Sequence, residues 1–395
     1  MSELLAVEGV PVVFIDTPEL LDGCLTVLSK AKVLGIDTEF IRVSTFFPKL
    51  ALLQVFDGRQ IYLIDAPAIS GRFTLADAEF YAMWGRLIDL FNAGSVVKIF
   101  HACEEDIELL HYYYGVLPKS VFDTQLACGF LGFEYPMGYQ KLVAEMCVKH
   151  VEKGDSRSNW LQRPLTSSQL QYAANDVVFL VTIYTRLRQE LITHGCFDQF
   201  QQDCDAIVLK LKSNEFSSAY LKIKSHIKLS SVPLWRLQKL ACWREEVMRK
   251  SDVPRNKVAT NDALMLLAKK GEVAGNWLFR VEGLSGATVK KYQAELLEIL
   301  SVRAEASELE FFKAKASLDL KYLKAQQKLV KSFLQQSAQN INMSEQIMIK
   351  KKYIESLVQC FALQGDVNEV DLQNIVGEGW RLEYYREALK ALVSS

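Results

Sequence analysis

No window of this 395-residue chain approaches the roughly 18 uninterrupted apolar residues of a membrane-spanning helix. The opening residues, Met1-Ser2-Glu3-Leu4-Leu5-Ala6-Val7-Glu8, lack the basic-then-apolar order of a secretory signal and the arginine-rich character of a transit peptide. Both absences predict a chain that stays in the cytoplasm, away from membranes. Among eight scattered cysteines, no Cys-x-x-Cys pair has a second pair downstream, which argues against a zinc-ribbon arrangement and for reduced, structural thiols. Cys103 lies near a candidate site, but no His or second Cys is spaced to make it a nucleophile or a zinc ligand. Short-period repeats, low-complexity segments and a G-x-x-x-x-G-K-[ST] phosphate loop are also missing, so nothing suggests a nucleotide-driven motor.

What is present is the balance of a folded protein, half hydrophobic and 24% charged. The length predicts two or three domains. A net charge of −1 hides an asymmetry: residues 1–210 carry about −9 and residues 211–395 about +8, with the basic excess concentrated near 222–270. The acidic half suits clustered metal-binding carboxylates, and the basic half suits a polyanion. A solvated helical surface would show the same excess.

Residues 1–65 read as strands interrupted by one helix near 19–30. Val33–Phe40, Leu50–Phe56 and Ile61–Ile64 alternate as strands, and Asp57-Gly58 signals a hairpin, so this start is predicted to be an antiparallel meander. Helical spacing follows over 75–91, then a strand at 95–100, a helix at 104–114 closed by Gly115, and a short strand at 121–124. Residues 151–165 read as a loop. Thr166-Ser167-Ser168-Gln169 is a capping-box pattern that should start a helix running to about Leu191. Strands alternating with helices define an α/β domain. Beyond about Phe200 only amphipathic stretches appear, punctuated at 230–233 and 304–307. The expected organisation is an α/β domain over 1–200, a helical connector over 201–228, and helical modules over 229–303 and 304–395.

Asp37 and Glu39 are two apart on a strand and project from one face. Burying two like charges there is costly unless a cation compensates or their pKa values rise. Both acids could instead face water at a strand end, a commoner origin of an isolated D-x-E. Tyr172 and Asp176 are four apart on the capped helix, so phenol and carboxylate address one point; a packed Tyr beside a surface Asp has the same spacing. Asp106 stands in the first turn of its helix, where a carboxylate also favours the dipole. Phe46 and Phe47, before Pro48, could stack on terminal bases or simply pack. Lys153, Arg157, Trp160 and Arg163 lie in the loop before the last motif, within reach of phosphates or bases.

Taken in order, D-x-E, Asp106 and Y-x-x-x-D resemble the DEDD exonuclease superfamily in its tyrosine branch; the histidine branch would place His where Gln171 stands. Leu34-Gly35-Ile36-Asp37-Thr38-Glu39-Phe40, Lys98-Ile99-Phe100-His101-Ala102 leading to Glu105-Asp106, Phe122-Asp123-Thr124-Gln125, Asn159-Trp160-Leu161-Gln162-Arg163-Pro164-Leu165 and Tyr172-Ala173-Ala174-Asn175-Asp176 resemble the signatures of the ribonuclease D family, with Asp155 and Asn159 departing from its usual pattern. Leu240-Ala241-Cys242-Trp243-Arg244-Glu245-Glu246, Val253-Pro254 and Asn261-Asp262-Ala263-Leu264 are similar to an HRDC module, and 304–395 suits a second, divergent one.

The resemblance implies a ribonuclease H-like exonuclease domain, a mixed sheet flanked by helices, followed by two all-α HRDC-like domains. It further implies 3′→5′ hydrolysis of RNA, with transfer RNA precursors bearing a free 3′-hydroxyl as the substrate class and nucleoside 5′-monophosphates as products. Asp37, Glu39, Asp106 and Asp176 match its metal-binding acids, Asp37 bridging two Mg²⁺ or Mn²⁺ ions, and Tyr172 matches the tyrosine that orients the attacking water. His101 is expected behind the ligands or in the core, and Asp123 in a structural role. A monomer without an obligate protein partner is expected. Two other readings remain at this point: a DNA 3′→5′ exonuclease of the proofreading or repair type, and a non-catalytic RNA-binding relative.

Overall fold

The structure, a computed structural model, describes residues 6–70, 78–152, 154, 158–212, 216–316 and 318–393. Apolar alternation in the first half produces a seven-stranded mixed sheet: β1 (Ala6–Val7), β2 (Val10–Ile15), β3 (Val33–Ile41), β4 (Lys49–Phe56), β5 (Ile61–Ile64), β6 (Val97–Phe100) and β7 (Val121–Asp123), ordered β1-β2-β5-β4-β3-β6-β7. β3, β4 and β5 form the expected antiparallel meander. Its β4–β5 turn is held by Asp57, whose Oδ1 accepts from the N–H groups of Arg59 and Gln60 at 2.8 Å each, with Gly58 at φ +90°. The meander does not reach back to β2, which pairs in parallel with β5. A helix, α1 (Pro18–Leu28), separates β2 from β3, and such a crossover is what parallel strands require.

The remaining helices of this domain are α2 (Ala66–Ser70), α3 (Ala78–Asn92), α4 (Glu104–Tyr114), α5 (Thr124–Phe130), α6 (Tyr139–Cys147), α7 (Ser167–Val178), α8 (Leu180–Thr193) and α9 (Phe197–Lys210). Successive side chains point to opposite faces, so near-continuously apolar strands such as β4 and β5 make the sheet apolar on both. Leu34, Ile36, Leu53 and Val55 pack with α1, α3 and α4, while Leu52, Leu63, Ile99 and Phe122 pack with α5 to α9. The capping box forms: Gln169 N–H donates to Thr166 Oγ1 at 3.2 Å and Thr166 N–H to Gln169 Oε1 at 3.0 Å. The expected single helix to Leu191 is instead two, divided at Phe179. This break lets α7 lie over β3, β4 and β5 while α8 crosses β3 and β6. Gly35 permits the approach, since a Cβ there would stand 3.0 Å from Leu180 Cβ.

The second half is helical, and no helix among the described residues is long and apolar enough to cross a membrane. α10 (Ser231–Ser251), α11 (Arg255–Val258), α12 (Asn261–Lys270) and α13 (Gly286–Ser301) share a core of Trp235, Leu240, Trp243, Leu264 and Leu278. α14 (Ala306–Ala316) joins that core through Phe312. α15 (Leu320–Asn340), α16 (Glu345–Met348), α17 (Lys351–Gln364), α18 (Glu369–Val376) and α19 (Arg381–Val393) follow. In each group a 21-residue helix precedes a four-residue one. The apolar core of the first domain extends through Val208 in α9, and that of the α10–α14 group through Phe312. The last group packs on the α/β domain rather than standing apart. Ser344 N–H donates to Gly129 O at 2.8 Å, and Ile347 Cγ1 lies 2.6 Å from where a Gly129 Cβ would be.

Candidate metal centre

Asp37 and Glu39 sit on central β3, on the face that α7 covers, just before a bulge at Glu39/Phe40 interrupts the β3–β4 ladder. The buried small face of α7, Ala173, Ala174 and Val177, lets it settle close to the sheet and brings Asp176 down to the strand. One carboxylate oxygen each from Asp37, Glu39 and Asp176 lie within 4.8 Å of one another. Asp106, from the first turn of α4, is buried at 6% exposure and falls outside that group of three. The Thr38 hydroxyl donates to Asp106 Oδ1, tying α4 to the same strand.

Burial, then the charges of Asp106, Asp176 and Glu39, push the Asp37 carboxyl well above its usual range. Burial raises Asp106 to about 7 against the opposing hydrogen bond from Thr38. It raises Asp176 to about 7 against the hydrogen bond that the Tyr172 hydroxyl donates. Tyr172 itself is held protonated, raised by burial and then by Asp176. An all-oxygen donor set whose charges repel one another fits hard divalent cations and not a thiolate- or imidazole-seeking metal.

A pH dependence follows. In the cation-free protein the folded carboxyls retain protons that the unfolded chain, with Asp near 3.9, has released. Stability should therefore fall as pH rises from about 4 to about 7 and stay low above. Thermal unfolding in EDTA at pH 5 and pH 8 checks this: a lower Tm at pH 8, regained with Mg²⁺, is expected. A Tm unchanged by pH and by Mg²⁺ counts against it.

Asp123 is committed to structure. Its Oδ1 accepts from Ala102, Gln125 and Leu126 N–H at 3.1, 2.8 and 3.1 Å, and its Oδ2 from Cys103 N–H at 2.9 Å. It thereby holds the turn at Ala102, φ +63°, from which α4 departs. His101 is a core residue whose Nδ1 meets Thr124 Oγ1 at 2.9 Å and Nε2 meets Met137 O at 3.0 Å. Sequence reasoning missed Tyr139, whose hydroxyl donates to Asn175 O at 2.9 Å and whose titration is raised by burial and then by Asp176. It also missed Gln54, the residue opposite Asp37 on β4. No spacing signal marks either.

The candidate nucleic-acid residues fare differently. Lys153 and Arg157 lie outside the described residues. Trp160 is 1% exposed beside Tyr172, ring centroids 6.0 Å apart, so it packs and offers no face to a base. Arg163 turns inward: its Nε and one Nη2 proton pair with Asp65, and the remaining donors reach the carbonyls of Ala51, Trp160 and Gln162. All five guanidinium donors are thereby used, leaving none for a phosphate. Phe46 lies 4.9 Å from the Arg249 guanidinium, Phe47 stacks on Tyr112 at 4.0 Å, and Phe47 N–H donates to Asp252 Oδ1 at 2.8 Å. The Phe46 ring and the Phe47 backbone N–H thus dock the α/β domain against the C-terminal end of α10, while the Phe47 ring packs on α4.

A mixed sheet presenting a buried carboxylate cluster beneath a tyrosine-bearing helix, followed by helical modules, defines a nuclease of the carboxylate-dependent exonuclease class. Residues 12–192 match the 3′-5′ exonuclease family and residues 234–300 the HRDC domain. The chain is 32% identical to ribonuclease D of Pseudomonas paraeruginosa over 356 residues, 90% of each chain. It therefore belongs to the ribonuclease D family. Its structure matches that of Escherichia coli RNase D, an exoribonuclease involved in structured RNA processing, with a TM-score of 0.77 at 26% identity, covering 97% of this chain and 98% of the other. A Bifidobacterium adolescentis protein shares the fold, with a TM-score of 0.62 at 20% identity over 98% of each chain.

Proposed function

We propose that the chain is a monomeric, cytoplasmic 3′→5′ exoribonuclease that trims structured RNA, with transfer RNA precursors as the substrate class, using two Mg²⁺ or Mn²⁺ ions. The observation that carries this reading is the convergence of Asp37, Glu39 and Asp176 within 4.8 Å, with Asp106 hydrogen-bonded to the same strand. When bound, the cations supply Lewis-acid stabilisation of the charge that develops on the phosphate. Asp37 would serve both ions, Glu39 and Asp176 one, and Asp106 the other.

Hydrolysis attaches a water oxygen to the terminal phosphorus and breaks its bond to the 3′-oxygen of the preceding nucleotide. That oxygen takes a proton, and a nucleoside 5′-monophosphate departs. Tyr172 is a poor base, because its hydroxyl is protonated and donates to Asp176; it orients the water through its oxygen. Gly154 lies close against the ring, where a Cβ would come 2.7 Å from Tyr172 Cδ2. Tyr172→Phe should therefore lower kcat by about 10–100-fold while leaving the Mg²⁺-induced rise in Tm intact. Loss of both would make Tyr172 a structural support of the ligands.

The basic half offers phosphate contacts. A cavity of about 600 Å³ between α10 and α13 is lined by Ser251, Asn256, Lys257, Ser285, Lys291 and Tyr292. On α15, residues 320–340 contain no acid, and exposed Lys321, Lys324, Lys328 and Lys331 recur at helical spacing, which aligns them on one face. Changing these four lysines to alanine should flatten the salt dependence of RNA binding by about 0.7 per lost single-strand phosphate contact, with activity on very short oligonucleotides retained. An unchanged slope removes α15 from the RNA path. The overall reading is tested by mixing the protein with 3′-labelled single-stranded RNA and Mg²⁺: released labelled mononucleotide is expected, whereas a gel shift without release would mark a binding protein.

A further inference from the structure

Gln54 stands within β4, where its side chain is shut away at 0% exposure. Neither its Nε2 nor its Oε1 has a hydrogen-bond partner among the described residues. Native interiors seldom leave both ends of a carboxamide unpaired, so such a group calls for a reason. The register supplies a neighbour. Gln54 is the direct cross-strand partner of Asp37, and residues so paired share a face with Cβ atoms about 4.5–5.5 Å apart. Its neighbours along β4 and across on β5 are apolar, Leu52, Phe56 and Leu63, and the polar one diagonal to it on β3 is Glu39. α7, which carries Asp176, closes the layer above β4. The polar chemistry beside this amide is therefore that of the acidic centre.

The geometry points to Gln54 as a positioning residue for Asp37, its Nε2 donating to the Asp37 carboxylate in the cation-loaded centre. A neutral donor suits the position. An amide can fix the carboxylate's orientation without cancelling the negative charge that draws cations, whereas a lysine there would compete with them. This inference rests on the reading of the four acids as a metal centre.

The test is Gln54→Met in the full-length protein, an apolar replacement of similar shape, with Gln54→Leu as a second replacement of different shape. Mg²⁺ is titrated against Tm and, separately, against initial rate on a 3′-labelled oligonucleotide. Both variants should need about 10-fold or more additional Mg²⁺ to reach half of the Tm rise and half-maximal rate. Their Tm in EDTA should not fall, because removing unpaired buried polar atoms relieves their desolvation cost. A raised or unchanged EDTA Tm with an unchanged Mg²⁺ midpoint in both variants would make Gln54 a packing residue and overturn the inference. A wild-type Tm indifferent to Mg²⁺ would instead sink the metal-centre reading itself. A midpoint shifted in one variant but not the other would assign the effect to packing and also overturn it.

Discussion

Replacing Asp37 with asparagine is expected to cut nucleotide release by at least about 10²–10³-fold, the scale for losing one preorganised electrostatic group in a reaction centre, and to raise the Tm of the cation-free protein. Both effects have one cause. Asp37 stands among Asp106, Asp176 and Glu39, and burial and their charges oppose its ionisation. An amide of the same shape removes that repulsion and, with it, the ligand placed to serve both ions. A structural residue would show the opposite coupling, with activity and stability falling together. Rates on 3′-labelled RNA and Tm in EDTA at pH 8 separate the two. Wild-type activity in Asp37→Asn would contradict the assignment.

A comparably large effect, on stability, is expected at Asp203. Its Oδ1 accepts from Arg381 Nη1 at 2.6 Å and Trp380 Nε1 at 3.1 Å, and its Oδ2 accepts from Arg381 Nη2. The ion pair is nearly shut from water, with side-chain exposures of 9% for Arg381 and 11% for Asp203, and it joins α9 to α19. Asp203→Ala leaves the guanidinium buried without its counter-charge, a loss of about 3–5 kcal/mol for pairs of this kind. Part of the guanidinium remains satisfied by Ile347 O, so the lower end of that range is expected. Urea unfolding measures it. Limited proteolysis should cut the α15–α19 group sooner than in the wild type. A variant as stable and as protease-resistant as the wild type would show that apolar contacts such as Ile347 on Gly129 suffice for docking.

How far the sequence could be read depends on the range of the interaction. The two halves of the carboxylate cluster were legible because each is local: D-x-E takes one face of a strand, and Y-x-x-x-D one face of a helix. That they meet depends on Ala173 and Ala174 letting α7 approach the sheet, and the run of small residues carries no such message by itself. Gln54 is one polar residue in the strand Lys49-Leu50-Ala51-Leu52-Leu53-Gln54-Val55-Phe56, and its place opposite Asp37 exists only in the β3–β4 register. Phe46 and Phe47 were legible as loop aromatics but not as a docking element, because Arg249 and Asp252 lie some 200 positions away. Arg163 had the composition of a phosphate contact, and only Asp65, brought beside it by the sheet, reveals that its donors are spent inward. Parallel pairing of β2 with β5 was likewise a matter of where the chain returns after α1.

The central claim is that acids distant in sequence hold paired hard cations. Anomalous diffraction from crystals of this protein soaked in Mn²⁺ tests it most directly. Density should appear among the carboxylates of Asp37, Glu39 and Asp176, with a second peak toward Asp106. Anomalous density confined to the protein surface, with none between these side chains, would contradict it.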